Sequence, residues 1–195
     1  MTRGRTLTLV GGGLLIIVVA GGFGIWRSNV AAQPTTAAKE VIQQQLEKAI
    51  KQSVQIIPST VVPMNVRSLS SSKTTQLLAS ERTALGKLYA STNNAEVGHE
   101  MWGYGNELQA ITYERNTAMT FSKFSFTDIS LINSNSTANV SFTAQTSTTR
   151  QVRSGRTTPW QTLHIPGNWS GTATLQYTNG QWLIQALRLT DSDAG

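Results

Sequence analysis

The chain has 195 residues, no cysteine, two histidines, and 16 Lys plus Arg against 10 Asp plus Glu. Lack of cysteine excludes disulfides, thiolate nucleophiles and Cys-ligated zinc, and neither histidine has a second one at metal-ligand spacing, so no metal site and no cofactor are expected. The sequence pI of about 10.0 is no nucleic-acid signature, because Arg3, Arg5 and Arg27 flank one apolar run and the chain from Gln33 onward is only about +3.

That apolar run, residues 7–26, is twenty residues without a charge. At about 1.5 Å per residue, a helix of this length reaches the roughly 30 Å of a bilayer's hydrocarbon core. Arg3, Arg5 and the terminal amine precede it while only Arg27 follows closely, and basic residues near a span prefer the cytoplasmic side. The expectation is a cytoplasmic tail over residues 1–6, a single transmembrane helix over 7–26, and everything beyond it outside the cytoplasm. A cleaved secretory signal normally has an apolar core of about 7 to 15 residues, so the longer run favours an uncleaved anchor. Val30-Ala31-Ala32 offers a small-residue cleavage site, but cleavage there exports the same domain. Export without disulfides suits a bacterial cytoplasmic membrane and its outer side.

Residues 27–72 read as a juxtamembrane helix and linker. Ile42, Leu46, Ala49, Ile50 and Val54 recur at three- and four-residue steps and predict one narrow apolar stripe, ending before Pro58. Ile42, Leu46 and Ile50 are candidates for pairing with another chain; docking on the chain's own domain is the other reading. Residues 58–72 look like a linker or extended arm. A domain is expected over 73–190: a helix capped by Thr74 or Thr75 and running to Ser91, then a helix over 95–118 with Val97, Met101, Tyr104, Leu108 and Ile111 on one face.

From Thr120 the period changes to two. Phe124 and Phe126 share a face while Ile129 and Leu131 have the opposite parity, which predicts a bulge near Thr127-Asp128. Ala138, Val140, Phe142 and Ala144 alternate with polar residues as in an antiparallel strand wet on one face. Pro166-Gly167-Asn168 reads as a turn. Asn179-Gly180 predicts a two-residue hairpin turn, with Trp182 and Ile184 on one face of the returning strand. Residues 191–195 form an acidic tail. The fold class expected is α+β: helices packed on a strongly curved antiparallel sheet of about four strands, preceded by the transmembrane and juxtamembrane helices.

The closing hairpin ATLQYTNGQWLIQALRL, residues 173–189, resembles the last two strands of nuclear-transport-factor-like domains. The resemblance implies a cone of helices on a bent sheet whose mouth holds a ligand, a catalytic site or nothing. With one N-terminal span ahead of it, the chain is similar to the bitopic scaffold proteins of type IV secretion and conjugation machines. That implies an interaction or assembly module with protein partners, either other envelope proteins or further copies of itself; the alternative is a tethered small-ligand-binding or enzymatic cone.

Chemical signals are sparse. His99 has Glu96 and Glu100 nearby but lies opposite the apolar stripe, so all three read as a solvated helix face. Asp128, Trp182 and Tyr104 are the pocket candidates, with Asp128 a general base only if burial raises its pKa. Arg150, Arg153 and Arg156 form the one basic run outside the anchor, and could meet anionic head groups, cell-wall polymers or an acidic partner. No phosphate loop, dinucleotide fingerprint or Gly-x-Ser-x-Gly elbow is present, and no catalytic residue is assigned.

Overall fold

The computed structural model of the chain describes residues 33–91 and 95–192. Helix α1 spans Thr36–Ser53 and is capped by Thr35, whose side chain accepts the Ala38 N–H at 3.2 Å. This satisfies one of the donors that a helix start leaves free. Its stripe of Ile42, Leu46, Ala49 and Ile50 is wholly buried, in one core with Met119, Val140, Phe142, Leu175 and Ile184 of the sheet. Ile42, Leu46 and Ile50 therefore offer nothing to a partner, and the folded unit begins at α1, ahead of residue 73. The physical reason is simple: a single narrow stripe is satisfied once a sheet face is available, and this chain supplies one.

Beyond α1, Gln55 adopts a left-handed backbone (φ 58°) and Ile56 bridges in parallel to Asn116. The arm that follows is packed, not loose: Ile57 and Val62 join Leu77, Tyr104, Leu108 and Ile111 in a second, smaller core. Helix α2 runs Ser71–Gly86 and starts earlier than expected, because Ser70 takes the capping role by accepting the Lys73 N–H. Helix α3 runs Ala95–Ala110 and stops short of residue 118. Residues from Glu114 belong to a strand instead, since Glu114 and Asn116 pair with Val152 and Arg150.

The four strands are β1 Glu114–Ile132, β2 Thr137–Val152, β3 Gln161–Thr178 and β4 Gln181–Asp191, an antiparallel meander in sequence order. The three helices pack on one face of it, so the architecture is α+β. β2 buries Ala138, Val140, Phe142 and Ala144 as its alternation predicts, then continues the same face with Thr146 and Thr148. A register shift between Phe126 and Asp128 lets Ile129 and Leu131 follow Phe124 and Phe126 despite their parity; two further shifts lie in β1. Such bulges bend a strand and increase its twist. Asn179 and Gly180 both take positive φ (52° and 81°), as the hairpin requires.

β3 runs straight through Pro166-Gly167-Asn168, where a turn was expected. β4 ends opposite Trp169, so residues 161–167 lie at a sheet edge where proline is tolerated. Asn168 accepts the Ser192 N–H on that edge, so by strand alternation the backbone groups of Pro166, His164 and Thr162 also point outward. Proline's missing N–H thus costs no ladder bond to β2.

Candidate functional site

The helices bury two carboxylates that no cation among the described residues meets. Glu81 lies between Leu77 and Leu85 on the inward stripe of α2, and Glu100 lies between Val97 and Tyr104 on that of α3. They are 9% and 6% exposed. Glu100 Oε2 accepts Gln55 Nε2 at 2.9 Å, while Glu81 Oε1 has no partner. Burial pushes each carboxyl up to about 7, well above the usual carboxylate range. Tyr104, 5% exposed nearby, is pushed up to about 12 by burial and then by the Glu81 charge. Glu100, Glu96, His99 and Tyr89 share a cavity of about 460 Å³ with the apolar side chains of Trp169, Leu187 and Leu189. Here the sequence reading needs correction. His99 is exposed and stacks on Trp102, but Glu100 points inward because its position, three residues after Val97 and four before Tyr104, belongs to the buried stripe.

Where β1 begins and β2 ends, the three arginines of the basic run separate. Arg150 binds Glu114 at 2.6 Å across β1 and β2. Arg153 turns back: its Nε donates to the Thr112 carbonyl at 2.5 Å, its Nη1 to the Arg156 carbonyl at 3.1 Å, and its guanidinium lies 4.3 Å from the Trp160 ring centre. Arg115, which the sequence did not single out, is 1% exposed. It donates to the Val62 carbonyl and Met64 sulfur and lies 5.9 Å from the same Trp160 ring. Buried Nε of Arg115 and Nη2 of Arg153 have no hydrogen-bond partner. Trp160 itself is pinned by its Nε1–H to the Met64 carbonyl. Arg156 stays exposed and lines a cavity of about 450 Å³.

The remaining candidates are scattered. Asp128 is exposed on the open sheet face, in a row Asp128, Ser141, Thr172, Arg188 that crosses all four strands and lines a groove of about 290 Å³. It lacks the burial that would make it a base. Trp182 is core, with its ring against Tyr177. Tyr104 belongs to the second core. The structure brings none of these three together. His164 faces solvent on β3 beside Thr149. Among the described residues no group of three or more His, Asp or Glu is placed to hold a metal ion. No described helix is long and apolar enough to cross a membrane; residues 7–26 lie outside the described residues.

No family model and no curated protein matches the chain. Among solved structures it is similar to the intermembrane-space region of the chloroplast protein ARC6, at 10% identity and a TM-score of 0.43, over 64% of this chain and 99% of that one. It is similar also to an Ntf2-like protein involved in plasmid conjugation, at 12% identity and a TM-score of 0.24, over 60% of this chain and 49% of that one. The second match thus spans about half of that protein's chain.

Proposed function

We propose that the chain is a non-catalytic assembly module, held outside the cytoplasm at a bacterial membrane by residues 7–26 and joined to a second copy of itself through the open edge of β3. The observation that carries this reading is the contrast among the sheet's edges. Ile56 bridges β1 at Asn116, where Ile57 donates to the carbonyl at 2.7 Å, and the rest of that edge is blunted by Lys123, Asp128 and three register shifts. Tyr89 bridges β4 at Ile184, with bonds between Ile184 and both Leu88 and Ala90, and β4 carries Arg188 and Asp191. Alongside residues 161–167 no described segment is paired beyond β2. Natural sheets cover or blunt such edges, because free backbone groups are a template for another strand.

This edge suits pairing with itself. The segment QTLHIPG has no charged Lys, Arg, Asp or Glu, so two copies meet without repulsion. With Thr162 opposite His164 of the second copy, both residues use their outward N–H and C=O, and Pro166 is left out of the ladder. Leu163, 45% exposed, then meets Leu163 of the second copy, with Ile165 (39% exposed) beside it. So short a contact is weak in dilute solution, but anchoring both copies in one membrane raises their effective concentration.

Light scattering of the full chain in detergent, over a concentration series, tests this. A defined oligomer is expected, and Thr162→Pro should dissociate it, since proline removes an outward N–H without touching the β2 ladder. Equal masses for wild type and variant at every concentration would exclude edge pairing, and a monomer throughout would end the self-assembly reading.

One observation favours a second reading, a tethered ligand-binding or enzymatic domain. Glu100 combines burial, a pKa near neutrality and a cavity with apolar walls, which is the setting of many acid–base residues. Its test is a bound small molecule whose affinity is lost in Glu100→Gln.

A further inference from the structure

We infer that the cavity between the arm ahead of α2, the end of α3 and the loop after β2 binds a small amphipathic anion: a carboxylate or phosphate monoester on a short apolar chain. The inference is independent of the β3 edge. The floor of this cavity of about 450 Å³ is aliphatic, made by Leu69, Leu78, Leu108 and Ile111. Its volume lies in the range of about 300–1,000 Å³ typical of small-molecule sites. Arg67 and Arg156 stand in its lining, both exposed, and no acidic residue lines it.

Charge accounting points to an anion. Behind the cavity wall, Arg153 holds the carbonyls of Thr112 and Arg156, two lining residues, and keeps its buried Nη2 without a partner. Arg115, fully buried, likewise has an unpartnered Nε. Among the described residues, Arg67, Arg115, Arg153 and Arg156 have no carboxylate within ion-pair distance. The acids of this end are already committed: Glu114 to Arg150, and Glu107 to the Asn116 N–H at 3.0 Å. The charge of these four guanidinium groups is therefore not cancelled by any neighbouring carboxylate among the described residues. Hydroxyls of Ser68, Thr74 and Tyr113 in the same lining add donors suited to an anionic head.

The test uses the full chain in phosphatidylcholine nanodiscs, with empty discs as blank, and isothermal titration with octanoate and octyl phosphate. Acetate supplies the head without the chain, and octyltrimethylammonium the chain with the opposite charge. Saturable binding of the first two, at least about tenfold tighter than either control, is expected; about 1.4 kcal/mol separates each tenfold step. Arg67→Gln with Arg156→Gln should weaken octanoate about tenfold or more at unchanged melting temperature, because both side chains are exposed. Arg82→Gln, an exposed arginine of α2 outside the cavity, should leave it unchanged. Repeating the titration in discs containing phosphatidylglycerol separates the sources of the anion: weaker octanoate binding there identifies a competing lipid head group, and equal binding a free amphiphile. Absence of saturation by octanoate in phosphatidylcholine discs, equal binding by the ammonium control, or undiminished binding by the double variant would overturn the inference.

Discussion

Two clusters of this domain bury charge of opposite sign, and they solve the same problem differently. In the first cluster Glu81 and Glu100 sit among Leu77, Leu85, Val97 and Tyr104 with one amide, that of Gln55, between them and isolation. A carboxyl in that position escapes the cost of a buried charge by taking a proton. In the second cluster burial lowers the pKa of Arg115 from its ordinary value, and no carboxylate among the described residues stands within ion-pair distance of Arg115 or Arg153. They spread their charge over the carbonyls of Val62, Thr112 and Arg156 and the face of Trp160, and still leave two N–H groups unmet. The acidic cluster therefore answers to pH, and the basic cluster to what it is given to bind.

The largest expected effect is at Arg115. Arg115→Ala empties a filled site and strands the Val62 carbonyl, and should lower stability by about 3 kcal/mol, or roughly 6–12 °C in melting temperature. If thermal melts show less than about 1 kcal/mol, the guanidinium is not the organising group of that cluster.

A middle-sized effect separates the two clusters by their pH response. Both carboxyls have folded-state pKa values raised from 4.5 to about 7, so the folded chain binds more protons than the unfolded one between those limits. Stability is then full below about pH 4.5 and is lost as pH rises through about 7. With each shift discounted by about half for solvent screening, the melting temperature should fall by roughly 5–10 °C from about pH 5 to about pH 8, and Glu81→Gln with Glu100→Gln should flatten the profile and raise the alkaline end. A wild-type profile already flat over that range would mean that another group compensates these charges. The smallest effect belongs to the one ion pair that looks conventional. Arg150 and Glu114 are each about a third or more exposed, so Arg150→Gln should change stability by no more than about 0.5 kcal/mol in denaturant melts.

Much of the fold could be read from spacing. The alternation of Ala138, Val140, Phe142 and Ala144, the parity switch before Ile129 and the Asn179-Gly180 turn all reappear in the sheet. Boundaries failed where pairing overrode local preference: residues 114–118 could continue a helix by themselves, but β2 offers them a ladder. The buried charges had a signal that went unused. Glu81 stands four residues from both Leu77 and Leu85, a position that turns it inward whatever its polarity. Arg115 had none, because its depth depends on residues 62, 64 and 160, brought together only by the tertiary fold.

The strand order has a consequence for how the chain acquires its structure. Each strand neighbours the next in sequence, so the sheet can close hairpin by hairpin across short loops. The stripe of α1, by contrast, completes its core only against residues as distant as Leu175 and Ile184. The first of the described helices to be synthesised is thus the last to find its place, and must wait, apolar face uncovered, until nearly all of the domain has followed it. In pulse-labelled refolding, amides of the β3–β4 hairpin should gain protection before those of Leu46 and Ile50. The reverse order would mean that α1 nucleates the sheet instead of sealing it.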